Sequence, residues 1–168
     1  MITSGHAQVM ARYNRWQNRS LVAAADGLGD EERWRDRGAF FGSIAATLNH
    51  ILGGDRVWLA RLAGHEGADD LAQGHPYTDA PREWDAYVCD RAALDEEMID
   101  WADGVSGDAL GRTLRWTARG REMARTYALC VVHLFNHQAH HRGQVHAMLT
   151  AAGAAPGPTD LMVLPDLR

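Results

Sequence analysis

Apolar residues recur at helical spacing along most of the chain, and glycine-rich polar segments interrupt them. This pattern predicts four long helices and little strand. The first helix has Thr3 or Ser4 as its N-cap and ends near Gly27 or Gly29, because hydroxyl side chains favour helix starts and glycine favours helix exits. The charged residues 30–37 that follow predict a solvated connection.

The second predicted helix begins after Ser43, a good N-cap, and runs to about Ala63. Asp55 falls inside its apolar stripe, which is unusual for a carboxylate and indicates either a buried partner or a role facing a site. His50 lies to one side of the stripe, so this helix must be covered over a wide arc. The stripe itself consists of Ile44, Leu48, Ile51, Leu52, Trp58, Leu59 and Leu62.

Two long connections separate the remaining helices. Residues 64–80 contain glycine, proline and aspartate and predict a long loop, after which a third helix starts around residues 79–81 and ends near Gly104. Residues 104–121 have no lasting period and predict irregular structure, with residues 113–117 as the candidate for an extended stretch.

The fourth predicted helix begins between Met123 and Thr126 and ends at Gly153. The turn-rich tail that follows is expected to fold back over the bundle. Residues 1–168 are therefore expected to form one all-α domain, a four-helix bundle with long crossover connections.

The composition of the chain argues against some classes of function. The chain has 168 residues, 46% of them hydrophobic, and a net charge of −5, and its 17 basic residues are all arginines spread without a block that could follow phosphates. No apolar run is long enough to span a bilayer, and the first residues do not have the form of a signal peptide. With two cysteines and no disulfide framework, we expect a cytoplasmic protein that binds neither nucleic acid nor membrane.

Histidines on the fourth helix indicate a candidate metal-binding site. His137 and His141 are four residues apart, so their imidazoles lie on one helix face and can converge on a metal ion. His133 is eight residues from His141, about 12 Å along the axis, and cannot easily share that ion. A tight site usually needs a third ligand, which His50 can supply across the bundle. We therefore predict a three-histidine metal centre between two helices.

A second interpretation needs no metal. A histidine on an apolar helix face is usually a hydrogen-bonded core residue, and these histidines could satisfy one another. Leaving buried imidazoles unpaired costs roughly 1–3 kcal/mol for each polar group, and a metal ion removes several such costs together. Gln144, one turn beyond His141, is the expected hydrogen-bond partner that orients a ligand ring. His133 is left as a neighbour that binds a ligand or substrate, or as a core residue.

The pattern Leu-Phe-Asn-His137-Gln-Ala-His-His141-Arg-Gly-Gln144 resembles the closing helix of DinB/YfiT-like proteins. The similarity continues in order through residues 13–18, 42–50 with Asp55, Trp58 and Arg61, 91–95, and 157–161. It implies a four-helix bundle with a parallel middle pair of helices, often dimeric. It also implies a divalent nickel, zinc or iron ion bound by His50, His137 and His141. One departure is Gly53-Gly54, which is expected to weaken the second helix close to His50.

Better-studied proteins of this kind are thiol-dependent enzymes, including mycothiol-dependent isomerases and bacillithiol transferases, and many others are described as metal-dependent hydrolases. Three imidazoles leave a divalent ion with open positions, which can take water or the thiolate of a low-molecular-weight thiol. We therefore predict a metal-dependent enzyme acting on a small molecule, by thiol transfer, isomerisation or hydrolysis. The alternative is a non-catalytic, stress-related metal or ligand binder.

Candidates for general acid–base catalysis are His133 and Asp55. Cys130 shares the histidine stripe, and a buried, inert thiol is favoured over a nucleophile. Arg142 could meet an acidic group of a thiol cofactor, although a surface ion pair is the simpler expectation.

Overall fold

The computed structural model describes residues 1–74 and 83–165, which form a bundle of four long helices with short elements between them. The long helices are α1 (Ser4–Asp26), α3 (Ile44–Ala63), α5 (Trp84–Gly104) and α7 (Tyr127–Ala151). The short elements are α2 (Asp30–Trp34), α4 (Ala68–Gly74), α6 (Gly107–Gly111), strands β1 (Thr113–Ala118) and β2 (Arg121–Thr126), and a 3₁₀ turn at Leu161–Val163. The predicted all-α four-helix bundle is confirmed.

The predicted caps of α1 and α3 are also present. Thr3 accepts a hydrogen bond from the backbone N–H of His6, and Ser43 accepts one from that of Ala46. At the other end of α3, Gly64 has φ +74°, the left-handed conformation in which glycine ends a helix without strain.

The direction of each long helix follows from its contacts. Arg12 near the start of α1 pairs with Asp103 near the end of α5, so these two helices are antiparallel. Helices α3 and α7 are antiparallel as well, since the Tyr127 hydroxyl at the start of α7 donates to the Leu62 carbonyl near the end of α3.

Helices α3 and α5 run in the same direction. Asp55 of α3 meets Arg91 of α5, and further along both helices Leu62 and Trp101 line the same cleft. The middle pair of long helices is therefore parallel, as the family resemblance implies. A parallel pair requires the chain to return along the bundle between them, which accounts for the long connection from α3 to α5.

Three predicted connections contain regular structure. Residues 30–37 include α2, whose Arg33 is buried and donates to the Ala25 carbonyl at 3.0 Å, so the prediction of a solvated connection is wrong for that part. The predicted loop over residues 64–80 includes α4, which has Asp69 and Asp70 in its first turn, where acidic side chains favour a helix. The predicted start of the third helix at residues 79–81 lies outside the described residues.

The segment before α7 is a β-hairpin, so the prediction of irregular structure is wrong there, while the candidate extended stretch at residues 113–117 is part of strand β1. Strands β1 and β2 pair from Thr113 opposite Thr126 to Ala118 opposite Arg121. The turn residues Arg119 and Gly120 have φ +50° and +72°, as a two-residue hairpin turn requires. Helix α7 consequently begins at Tyr127, just beyond the predicted range.

The core lies between the four long helices. The apolar stripe predicted for α3 is buried apart from Trp58, which is partly exposed. The tail folds back on α1 as predicted, with the Tyr13 hydroxyl donating to the Thr159 carbonyl at 2.6 Å. None of the helices in the described part of the chain has the length and apolar character needed to cross a membrane. The core also includes Tyr87, Leu94, Met98, Val131, Leu134, Phe135, Val145 and Leu149.

Candidate metal centre

His50, His137 and His141 come together where α3 packs against α7. The Nε2 atoms of His50 and His137 are 2.9 Å apart, and the three ring centroids are 4.5 to 4.9 Å from one another. One ligand nitrogen from each ring lies within 4.8 Å of the other two. The structure thus brings together the three residues that the sequence predicts as ligands.

The environment keeps these rings uncharged. Removal from water, together with the repulsion between like charges on the neighbouring His141, lowers the pKa of His50 to about 4 and that of His137 to about 3. Burial also lowers the pKa of His141. All three imidazoles are therefore neutral at pH 7, the form in which histidine binds a metal.

Gln144 holds His141 in a defined orientation. Its Oε1 lies 2.9 Å from His141 Nδ1, which is the contact expected from the sequence. An amide oxygen accepts a hydrogen bond only from a protonated nitrogen, so Nδ1 carries the hydrogen and Nε2 keeps its lone pair. This pairing fixes which nitrogen of His141 can bind a metal.

Gly54 of α3 leaves room for the imidazole ring of His137. A Cβ atom at position 54 would lie 3.1 Å from His137 Cε1, closer than most such contacts. Helix α3 continues without a break through both glycines, so the expected weakening near His50 leaves the helix intact. Gly54 instead permits the close approach of the His137 ring.

Phe41 covers the side of the site next to His50. Its ring stacks on the His50 imidazole with centroids 3.9 Å apart and planes 26° apart. The sequence prediction did not include Phe41, because it lies in the connection before Ser43 and has no helical period. The available signal was a pair of aromatic residues, Phe40 and Phe41, immediately before a helix that carries a candidate ligand.

The residues present fit a divalent ion. Three neutral imidazoles are a common donor set for zinc and related metals, and each ring here offers one ligand nitrogen within 4.8 Å of the other two. The buried Nδ1 of His137 has no hydrogen-bond partner within the described residues. An explanation without a metal requires the three histidines to satisfy one another's hydrogen-bonding groups. The Nδ1 of His137 does not meet that requirement.

His133 lies beside this group and not in it. Its ring centroid is 6.0 Å from that of His137, and it forms a T-shaped contact with Trp58, with ring centroids 4.8 Å apart. The side chain is exposed, and partial loss of hydration lowers its pKa. A catalytic role for His133 stays a prediction.

Asp55 is fully buried and its partners are present. Oδ2 is 2.6 Å from Arg91 Nη1, and Oδ1 accepts a hydrogen bond of 2.8 Å from Gln138 Nε2. Of the two alternatives for this carboxylate, the structure shows the buried partner. Both oxygens are occupied, and a general acid–base role for Asp55 stays a prediction.

Asp55 belongs to a buried polar network that joins all four long helices. Arg91 also pairs with Asp95 at 2.9 Å, and Asp95 accepts a hydrogen bond of 2.9 Å from Asn18 of α1. On α7, Gln138 contacts Asp55 immediately after the candidate ligand His137. The network therefore fixes the bundle directly behind the histidines.

Arg142 extends this network. It is 5% exposed, donates to Asn14 Oδ1, and lies over the Tyr13 ring at 5.6 Å. The expected surface ion pair is therefore wrong, because the side chain is buried against α1.

Cys130 is 2% exposed, and burial raises the pKa of its thiol. A protonated, buried thiol is a weak nucleophile, which agrees with the favoured expectation of an inert residue.

The bundle and its three-histidine group define a class of helical protein with a candidate metal centre. The profile of the DinB family matches residues 1–168, and the chain belongs to the DinB family. Protein DinB of Bacillus subtilis (strain 168) is 28% identical to it over 167 residues, which cover 94% of this chain and 92% of the relative. The family resemblance seen in the sequence is confirmed.

Proposed function

We propose that the protein binds a divalent zinc, nickel or iron ion through His50, His137 and His141 and uses it to act on a small molecule. The observation that carries this proposal is the convergence of three neutral imidazoles from two helices, with their ligand atoms within 4.8 Å. Three protein ligands with open positions are the arrangement found in catalytic sites, whereas structural sites are closed by four.

A divalent ion in this site would supply Lewis acidity, which lowers the pKa of a water molecule or of a low-molecular-weight thiol. The surrounding residues prepare the site for it. Burial keeps the ligand rings neutral, and Gln144 fixes His141. His133 is neutral and exposed one helical turn from His137, where it can accept a proton from a bound molecule. These features favour a thiol S-transferase, a thiol-dependent isomerase or a hydrolase.

A second candidate function is a non-catalytic, stress-related metal or ligand binder. One observation favours it: two polar groups on the helices that carry the histidines are unsuited to proton transfer. Both oxygens of Asp55 are occupied by Arg91 and Gln138, and the Cys130 thiol is buried and protonated. His133 is then the one acid–base candidate from the sequence prediction that is still exposed.

We further propose a cytoplasmic homodimer with no nucleic-acid partner. The dimer comes from the family resemblance alone. The cytoplasmic location is inferred from the two unpaired cysteines. The lack of a nucleic-acid partner is inferred from the dispersed arginines and the negative net charge.

Metal analysis tests the site itself. Purified protein is expected to hold about one divalent ion per chain, by the ligand count above. His50→Ala, His137→Ala and His141→Ala should each lose it. His65→Ala removes the same ring from an exposed position on another part of the surface and should retain it. A wild-type protein that binds no divalent ion would overturn the proposal and favour histidines that only satisfy one another.

Thermal shifts with low-molecular-weight thiols separate the two candidate functions. Metal-loaded and metal-free protein are compared with cysteine, glutathione, bacillithiol and mycothiol. A shift that requires metal and disappears in His50→Ala supports thiol chemistry. If no thiol shifts the melting temperature, hydrolysis or simple metal binding is favoured instead. Ester and amide substrates then test for hydrolysis.

A further inference from the structure

The Phe41 ring touches two of the three candidate ligands without offering a donor atom. It stacks on His50 with centroids 3.9 Å apart, and its centroid is 5.4 Å from that of His141. An apolar ring in this position can act on a metal site only by packing. It limits the rotation of the imidazole that it covers and excludes water from that face.

The backbone fixes the turn that carries Phe41. Ala39 and Gly42 form an antiparallel bridge in which the Gly42 N–H donates to the Ala39 carbonyl at 2.8 Å. The Arg37 N–H donates back to the Gly42 carbonyl at 2.8 Å. Gly42 has φ +80°, a conformation that glycine adopts without strain. The turn leads directly into Ser43, the N-cap of α3, so the Phe41 ring and the helix carrying His50 are positioned together.

The preceding residue provides a contrast. Phe40 is 83% exposed and packs edge-on against Phe41 at 4.9 Å. Phe40 and Phe41 therefore have the same side chain and lie in the same turn, but their surroundings differ. One covers a candidate ligand, and the other projects into solvent.

We propose that Phe41 is a positioning residue of the candidate metal centre, which holds the His50 imidazole so that its Nε2 faces His137 before a metal binds. This inference rests on the proposed function. A ring that is already oriented loses less rotational freedom when it becomes a ligand. Groups that orient a ligand without touching the metal typically change metal affinity 10- to 100-fold, and we expect roughly a tenfold effect here.

Cobalt(II) titration tests the proposal with the metal alone. Visible absorption reports the coordination geometry, and competition with a chelator gives the dissociation constant. Metal-free wild type, Phe41→Ala, Phe41→Tyr and Phe40→Ala are compared. Phe41→Ala should bind roughly ten times more weakly and show an altered absorption spectrum at saturation. Phe41→Tyr keeps the flat face, and Phe40→Ala loses an equal side chain from an exposed position, so both should resemble wild type.

Each other outcome has a defined meaning. A Phe41→Ala spectrum and affinity equal to those of wild type overturn the role of Phe41 while leaving the metal site in place. Equal weakening in Phe40→Ala and Phe41→Ala also overturns it, because the effect would not depend on stacking. Wild type that binds no cobalt contradicts the proposed function itself. Should Phe41→Ala fail to fold, Phe41→Leu retains apolar volume without the flat face and should show the same weakening.

Discussion

Gly54 of α3 lies directly against the imidazole of His137 on α7. A Cβ atom at position 54 would be 3.1 Å from His137 Cε1 and 3.7 Å from Nδ1. The missing side chain therefore sets how closely a candidate ligand approaches the helix that carries its partner His50. A residue that is unfavourable for helix propensity is explained by the geometry of the site.

Gly54→Ala should weaken metal binding more than it weakens the fold. The new methyl group must displace the His137 ring by a few tenths of an ångström, which misaligns its ligand nitrogen, while alanine itself favours a helix by about 1 kcal/mol over glycine. We expect a lower cobalt(II) affinity with little loss in the free energy of unfolding. Gly143→Ala on α7 is the control, since a Cβ there would meet no atom of the described residues within 4 Å. Equal affinities for the two variants would show that the close approach is irrelevant to the site.

Gln144→Leu should lower metal affinity about 10- to 100-fold through its effect on His141. The substitution keeps much of the side-chain volume but removes the oxygen that lies 2.9 Å from His141 Nδ1. The ring is then free to rotate and to exchange the hydrogen between its nitrogens. Chelator competition measures the change. His140→Ala, which removes the other neighbour of Gln144, should leave the affinity close to wild type, and a loss of similar size there would contradict the assignment.

The long helices could be predicted because each buries one face and so carries an apolar period. The N-caps at Thr3 and Ser43 are local signals, and the sequence predicts both. Helices α2 and α4 have five and seven residues, too few for a period to develop. The hairpin did leave a signal, since Leu114, Trp116 and Ala118 alternate as half-buried residues before a turn at Arg119-Gly120.

The candidate ligands could be predicted because His137 and His141 share a helical face, and a third ligand was needed. Apart from the local contact of Gln144 with His141, the contacts around these ligands could not be predicted, since they join residues that are distant in sequence. Asp55 stood out as a charge in an apolar stripe, and Arg91 lay on the apolar face of the next long helix. Nothing local indicates that these two charges pair at 2.6 Å in the core.

Arg91→Met should strongly destabilise the bundle. It leaves the carboxylates of Asp55 and Asp95 buried without their shared cation, and breaking a buried ion pair from one side costs about 3–5 kcal/mol. Urea unfolding gives the change in free energy. Arg19→Met is the matched control, because Arg19 pairs with Glu96 on the exposed surface, where a pair contributes about 1 kcal/mol or less. Similar losses in the two variants would mean that the buried network contributes no more than a surface pair.

Metal-free protein should lose stability as the pH falls from about 6.5 to about 4. An unfolded histidine has a pKa of about 6.5, whereas burial lowers the pKa of His50 to about 4 and that of His137 to about 3. Between these values the unfolded chain binds protons that the folded chain does not, so the free energy of unfolding declines with falling pH. Above pH 6.5 both states are neutral at these rings, and the contribution is constant.

His137→Gln isolates this effect from other titrating groups. Burial raises the pKa of Asp55 and Asp95, which changes stability with the opposite sign over acidic pH, but both carboxyl groups remain in the variant and cancel in the comparison. Urea unfolding of both proteins with chelator present, from pH 7 to pH 4, should give a steeper decline for wild type than for His137→Gln. Parallel curves would mean that His137 takes up its proton equally in the folded and unfolded states, contrary to a neutral ring held ready for a metal.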